Sequence, residues 1–137
     1  MENSVSCKWN DELSFNIDID GHTIKIDSSE DMGGNNYGTT PKPLILASLA
    51  GCTSIDVVAI LKKMRIQFDD FSVNATGELS DETPRVYKKI HLTYKFKGDN
   101  LNPDQLEKAI KLSQDKYCGV SKMLREVLDI SYEIKIY

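Results

Sequence analysis

The sequence predicts an α+β domain whose elements follow the order βββαββααβ. Two patterns and the length of the chain support this fold class. Apolar and polar residues alternate in six segments, as half-buried strands require, and one long apolar stretch from Leu44 to Leu61 indicates a helix. With 137 residues, 40% of them hydrophobic, the chain has the size of one domain that builds its own core. We therefore predict a single domain over residues 1–137, with antiparallel sheets around a long buried central helix.

The N-terminal third predicts three strands in an antiparallel meander. Asp20-Gly21 supplies the positive-φ turn between the second and third strands. Cys7 shares the apolar phase of its strand, so we predict it to be a core residue. The alternating residues are Val5, Cys7 and Trp9, then Leu13, Phe15, Ile17 and Ile19, then Ile24 and Ile26.

Residues 27–40 are predicted to form a glycine-rich loop, because their apolar residues follow neither the helical nor the strand period. The loop lacks the GK[ST] and GxGxxG spacings, and its acidic residues would repel phosphate, so we interpret it as a connector.

The central helix is predicted to begin with Thr40 as N-cap and Pro41 in its first turn, and to end near Arg65. It is apolar on nearly every face, which predicts burial all round. A small sheet covers only one side of such a helix, so a second subunit is expected to cover the rest. Asp56 in mid-helix costs about 2.5 to 3.5 kcal/mol in a bilayer, which argues against a membrane span.

The second half predicts a hairpin, two helices and a last strand. Alternation over residues 71–79 and 86–96 gives two long strands. Asn102-Pro103 begins a helix that ends near Cys118-Gly119, and Val120, Met123, Leu124 and Val127 indicate a short second helix. Alternation over residues 130–136 closes the chain as a strand.

Composition limits the classes of function. The chain has 17 Lys and Arg against 21 Asp and Glu, a formal net charge of −4, which argues against nucleic acid or a membrane surface as partner. No secretory signal pattern opens the chain, so we expect a cytoplasmic protein with reduced thiols. His22 and His91 show no metal-ligand spacing, and we predict neither a metal nor a cofactor.

Two of the three cysteines are candidates for redox chemistry. Cys52 lies in the middle of the long helix among small residues, and Cys118 lies where one helix ends and the next begins. Free cysteine is often a buried small hydrophobe, so the spacing alone also allows a purely structural pair.

The segments GTTPKPLILASLAGCTSIDVVAILKKMR (Gly38 to Arg65), TPRVYKKIHL (Thr83 to Leu92) and KYCGVSKML (Lys116 to Leu124) closely resemble the OsmC/Ohr family. The resemblance implies an intertwined homodimer with packed central helices. It also implies thiol-based reduction of organic hydroperoxides in oxidative stress, with Cys52 as peroxidatic and Cys118 as resolving residue. A dithiol, in the family often a lipoyl-bearing protein, would reduce the disulfide, and the apolar helix favours a small apolar hydroperoxide.

Two functional positions depart from the family pattern. Lys42 stands where the peroxidase branches carry a glutamate, and the first arginine of the chain is Arg65, so their N-terminal arginine is missing. Arg85, after the Pro84 turn, is our candidate for the substitute cation at the start of the long strand. Asp56, one helical turn after Cys52, is expected to oppose ionisation of that thiol. Because the family's glutamate and N-terminal arginine are both missing, a second hypothesis stays open: a non-catalytic protein that binds a small hydrophobic ligand in the dimer-interface cleft.

Overall fold

The computed structural model describes residues 1–137, which form two compact units, residues 1–45 and residues 46–137. The first unit is an antiparallel sheet in the strand order β1-β2-β3, as the alternation predicted. Asp20 and Gly21, with φ of 49° and 78°, make the β2–β3 turn. The strands are β1 (Ser6–Asp11), β2 (Ser14–Ile19) and β3 (His22–Ile26), and a 3₁₀ turn (Glu30–Met32) follows them.

Strand β1 corrects the prediction that Cys7 is a core residue. Every residue of β1 is exposed in the chain, including Cys7, and 68% of the Trp9 surface is open. The strand alternates, but within the first unit no layer packs on either of its faces. Alternation of apolar and polar residues indicates a strand, but it does not show that another element packs on the apolar face of that strand.

The loop after β3 is organised by one buried carboxylate. Asp27 accepts hydrogen bonds from the backbone N–H groups of Ser28, Asn35 and Tyr37, at 2.7, 2.9 and 3.2 Å. These bonds, led by the one from Asn35, hold the pKa of Asp27 below its usual value despite burial. The glycine-rich segment is thus a connector whose backbone folds around the Asp27 carboxylate.

The second unit contains the long helix, a three-stranded sheet and two shorter helices. Its sheet has the order β4-β5-β6, in which β5 pairs antiparallel with β4 and parallel with β6. The elements are α1 (Pro43–Lys63, beginning in the first unit), β4 (Asp70–Leu79), β5 (Tyr87–Lys97), α2 (Pro103–Leu112), a π-helical turn (Ser113–Tyr117), α3 (Gly119–Arg125) and β6 (Asp129–Ile136).

The element order βββαββααβ is confirmed, and one pairing differs from the expected antiparallel sheets. Two helices connect β5 to β6, and such a crossover returns the chain to the same end of the sheet, so the two strands run parallel. Helix α2 begins as predicted, since the Asn102 side chain accepts from the Asp104 N–H at 2.9 Å. Helix α1 begins at Pro43, two residues later than predicted, because Pro41 and Lys42 form a preceding turn.

The core of the second unit lies between one face of α1, the inner face of β5 and helix α2. The buried residues of α1 recur every fourth position and are Leu49, Thr53, Val57 and Leu61. The opposite face, with Ile55 exposed at 73%, has no cover in the single chain, so the predicted burial on all sides is not observed. By length and composition α1 could span a membrane, although core helices of soluble proteins pass the same test.

Candidate functional site

The fold brings the two predicted cysteines together. Cys52 lies in the middle of α1, and Cys118 lies between the π-helical turn and α3. Their Sγ atoms and a carboxylate oxygen of Asp56 all lie within 4.8 Å of one another. Asp56 reaches this group because a spacing of four residues places it one turn from Cys52 on the same face of α1. The site is therefore a pair of facing thiols with an acid beside them.

Cys118 is fixed by its position at the start of α3. Its backbone N–H donates to the Ser113 carbonyl at 2.7 Å, and its Sγ accepts from the Ser121 N–H at 3.4 Å, so the thiol caps the helix. Only 3% of the residue is exposed. The preceding turn is π-helical, a conformation found mostly as single turns and often at functional sites.

Cys52 is half-buried, and its surroundings favour the protonated thiol. Burial is the main cause that raises the pKa of Cys52, and the neighbouring Cys118 and the Asp56 charge raise it further. A hydrogen bond from the Val120 N–H acts in the opposite direction. The expectation that Asp56 opposes ionisation of Cys52 is confirmed.

A buried hydrogen-bond network lies beside the thiols and was not predicted. Thr53 Oγ1 contacts Tyr94 OH at 2.7 Å and Ser113 Oγ at 2.8 Å, and Gln114 Nε2 donates to Tyr94 OH at 2.8 Å. Ser113 Oγ also donates to Asp56 Oδ2 at 3.0 Å, which connects the network to the site. The sequence did contain one indication of this network, because Thr53 is a polar residue on the buried face of α1.

The predicted cation Arg85 and the unpredicted Arg125 have different surroundings in the single chain. Arg85 lies two residues before β5 in the exposed β4–β5 turn, where its guanidinium donates to the Ser80 carbonyl at 2.9 Å. Arg125, at the end of α3, donates to the carbonyl oxygen of Gln114 in the turn that precedes Cys118. Arg125 is thus the arginine that contacts the cysteine-bearing segment. Lys42 is exposed before α1.

A cavity of about 140 Å³ opens beside the site. Its lining residues come from the second half of α1 and from the π-helical turn, and they combine two aliphatic side chains with two charged ones and a tyrosine: Asp56, Ala59, Ile60, Lys63 and Tyr117. Asp56 belongs both to this lining and to the group that contains the two thiols, so the cavity lies next to the site.

The structure is an α+β fold in which one thiol lies on a long apolar helix and a second, neighbouring thiol caps a short helix. The family of OsmC-like proteins matches residues 33–133, and the chain belongs to this family. The family resemblance seen in the sequence is confirmed.

Individual relatives agree with this assignment. Protein YhfA of Escherichia coli strain K12 is 33% identical over 132 residues, which cover 94% of each chain. A hypothetical protein from Aquifex aeolicus superimposes with a TM-score of 0.84 at 29% identity, covering 100% of this chain and 98% of that one. An organic hydroperoxide resistance protein from Legionella pneumophila shares the fold, with a TM-score of 0.73, 17% identity and coverage of 98% and 97%.

Proposed function

We propose that this protein is a thiol-dependent organic hydroperoxide reductase with a role in stress detoxification. The observation that carries the proposal is the approach of the Cys52 and Cys118 sulfurs to within 4.8 Å. Membership of the OsmC-like family and the shared fold of an organic hydroperoxide resistance protein support it. The electrons of the cycle come from the two thiols and an external dithiol.

The reaction proceeds in three balanced steps. The Cys52 thiolate attacks one oxygen of the hydroperoxide, the O–O bond breaks, and the alkoxide leaves as the alcohol after taking up a proton. Cys52 is now a sulfenic acid. The Cys118 thiol attacks its sulfur, water leaves, and a disulfide forms. A dithiol, for example on a lipoyl protein, then reduces the disulfide and is itself oxidised.

Exposure supports the assignment of the two roles. Cys52 is half-buried, whereas Cys118 is only 3% exposed, so Cys52 is the thiol that a peroxide reaches more easily. The apolar part of the cavity lining, such as Ala59 and Ile60, favours a small alkyl hydroperoxide over hydrogen peroxide.

Cys52 must ionise to attack, and its raised pKa means that the single chain does not provide this activation. Arg85, exposed in its turn, remains our candidate for the activating cation. Arg85→Gln is then expected to slow peroxide oxidation of Cys52 at least about tenfold, which is the effect of one pKa unit on the thiolate fraction. Arg65→Gln is the matched control, and equal rates for the two variants would contradict the role of Arg85.

The active form is proposed to be a homodimer. The uncovered face of α1 carries a row of small or apolar residues at four-residue spacing, Ala47, Gly51, Ile55 and Ala59. Four-residue rows form the ridges by which two helices pack, and small side chains allow close approach. A second copy of α1 is therefore the proposed cover.

The test is a free-thiol count and disulfide map after one equivalent of an organic hydroperoxide is added to fully reduced protein. We expect the count to fall from three thiols to one, with Cys52 joined to Cys118. The Cys7→Ser variant should fall from two to none. Cys118→Ser should perform one turnover and stall as a sulfenic or sulfinic acid, whereas Cys52→Ser should consume no peroxide. Survival of all three thiols, while an ordinary two-cysteine peroxidase is oxidised alongside, would refute the proposal.

A second candidate function is a non-catalytic protein that binds a small hydrophobic ligand at the dimer-interface cleft. It is favoured by the raised pKa of Cys52 and by Lys42 at the family's glutamate position. Unreactive thiols together with saturable binding of an apolar fluorescent probe to the dimer would support this function.

A further inference from the structure

The group of Cys52, Asp56 and Cys118 has the composition of a metal site as well as of a redox pair. Each residue offers one donor atom, and the two sulfurs and the carboxylate oxygen lie within 4.8 Å of one another. Thiolate and carboxylate are both ligands of Zn²⁺. We propose that, in the reduced state, these three residues bind one Zn²⁺ per chain.

The distances suit a tetrahedral ion after a small adjustment. Zn–S bonds of about 2.3 Å place two tetrahedral thiolates about 3.8 Å apart. The donors in this chain are at most 4.8 Å apart, so the two sulfurs must approach by about 1 Å or less, and a sulfur and the carboxylate oxygen by about 1.3 Å or less, which side-chain rotation can supply.

Hydrogen bonds already support two of the three donors. The Ser121 N–H donates to Cys118 Sγ at 3.4 Å. Ser113 Oγ donates to Asp56 Oδ2 at 3.0 Å, which orients the carboxylate and leaves its other oxygen for a metal. Hydrogen bonds of this kind orient the ligands of metal sites in proteins.

Electrostatics also favours a cation at this position. With both thiols ionised, three negative charges would lie within 4.8 Å of one another, and their repulsion is strong in a half-buried site. A divalent cation between them converts this repulsion into attraction. The three residues leave one tetrahedral position free, which water can fill from the cavity that Asp56 lines.

This inference goes beyond the proposed function and does not depend on it. Bound Zn²⁺ occupies both sulfurs, so the metal complex and the Cys52–Cys118 disulfide exclude each other. The ion would protect the reduced pair, and oxidation to the disulfide would release it.

The test is a titration of reduced, metal-free full-length protein with Co²⁺, followed by Zn²⁺. We expect one Co²⁺ per chain, a thiolate-to-cobalt charge-transfer absorption, and loss of that absorption as Zn²⁺, the tighter-binding ion, displaces Co²⁺. Asp56→Asn keeps the size of the side chain and an acceptor for Ser113, and it should bind Co²⁺ at least about tenfold more weakly. Cys52→Ser and Cys118→Ser should each lose at least half of the charge-transfer intensity, while Cys7→Ser should match the wild type.

Absence of the charge-transfer absorption, or equal affinity in the wild type and Asp56→Asn, would overturn the three-ligand site. Circular dichroism of each variant shows whether a loss of binding reflects unfolding. The peroxide experiment, repeated with chelator present, keeps the two proposals apart. If the protein forms the Cys52–Cys118 disulfide but does not bind Co²⁺, the proposed function stands and the metal site is refuted. If it binds Co²⁺ but does not form the disulfide, the metal site stands and the proposed function is refuted.

Discussion

The guanidinium of Arg125 donates hydrogen bonds to two oxygens of Gln114, to the backbone carbonyl at 2.9 Å and to Oε1 at 3.0 Å. Gln114 Oε1 also accepts from Ser121 Oγ at 2.9 Å. Gln114 precedes Cys118 along the chain and Ser121 follows it, so these bonds join the two segments that flank the thiol. The position of Cys118 therefore depends on an arginine at the far end of α3.

Replacing Arg125 with methionine removes these bonds and leaves the buried Gln114 oxygens with fewer donors. We expect a loss of about 1 to 3 kcal/mol in the free energy of unfolding, measured with urea. Arg85→Met, which removes one exposed bond to the Ser80 carbonyl, should cost less than about 1 kcal/mol. Equal losses for the two variants would show that Arg125 does not hold the turn.

The hydroxyl of Thr53 is expected to be the most costly to remove in the buried network. Its Oγ1 lies within hydrogen-bond distance of Tyr94, Ser113 and Gln114, and valine has nearly the same shape without the polar atom. Thr53→Val should lower the free energy of unfolding by about 1 to 3 kcal/mol, because buried partners lose a bond. Thr76→Val, on an exposed strand position, should change it by about 0.5 kcal/mol or less, and a similar value for Thr53→Val would contradict the prediction.

The raised pKa of Cys52 predicts how its alkylation depends on pH. Only the thiolate reacts, so in the Arg85→Gln variant, which lacks the proposed activating cation, the rate at Cys52 should rise about tenfold per pH unit from pH 7 to pH 8.5 without a plateau. Asp56→Asn removes a negative charge that raises this pKa, so it should speed alkylation at pH 8. The measurement is site-resolved mass spectrometry with iodoacetamide. Asp99→Asn, at an exposed turn position, is the control for Asp56→Asn, and a plateau below pH 8 in Arg85→Gln would contradict the raised pKa of Cys52.

The uncovered face of α1 predicts the oligomeric state. We expect a dimer by light scattering at micromolar concentration, because a monomer would expose the apolar row that includes Ile55. Ile55→Lys places a charge in the proposed interface and should shift the protein to monomer. Val127→Lys changes a residue that is 79% exposed and lies outside α1, and it should remain dimeric. A monomeric wild type would refute the interface.

Local patterns in the sequence determined most of the fold. Alternation predicted the six strands, a continuous apolar run predicted α1, and Asn102-Pro103 predicted the start of α2, because each signal depends on neighbours a few residues away. The parallel pairing of β6, the exposure of Cys7 and the start of α1 at Pro43 were not predicted. These depend on how elements pack and on which faces find a cover, which no local window contains.

The sequence by itself singled out Cys52 and Cys118 as the candidate redox residues and predicted the effect of Asp56 on the Cys52 thiol. Tertiary structure decided that the three groups meet within 4.8 Å and that Arg125, not Arg85, contacts the segment before Cys118. It also decided that a buried network connects Thr53 to the site. The physical reason is that helical spacing fixes neighbours within one turn, whereas contacts between α1, the π-helical turn and α3 arise only when the core packs them together.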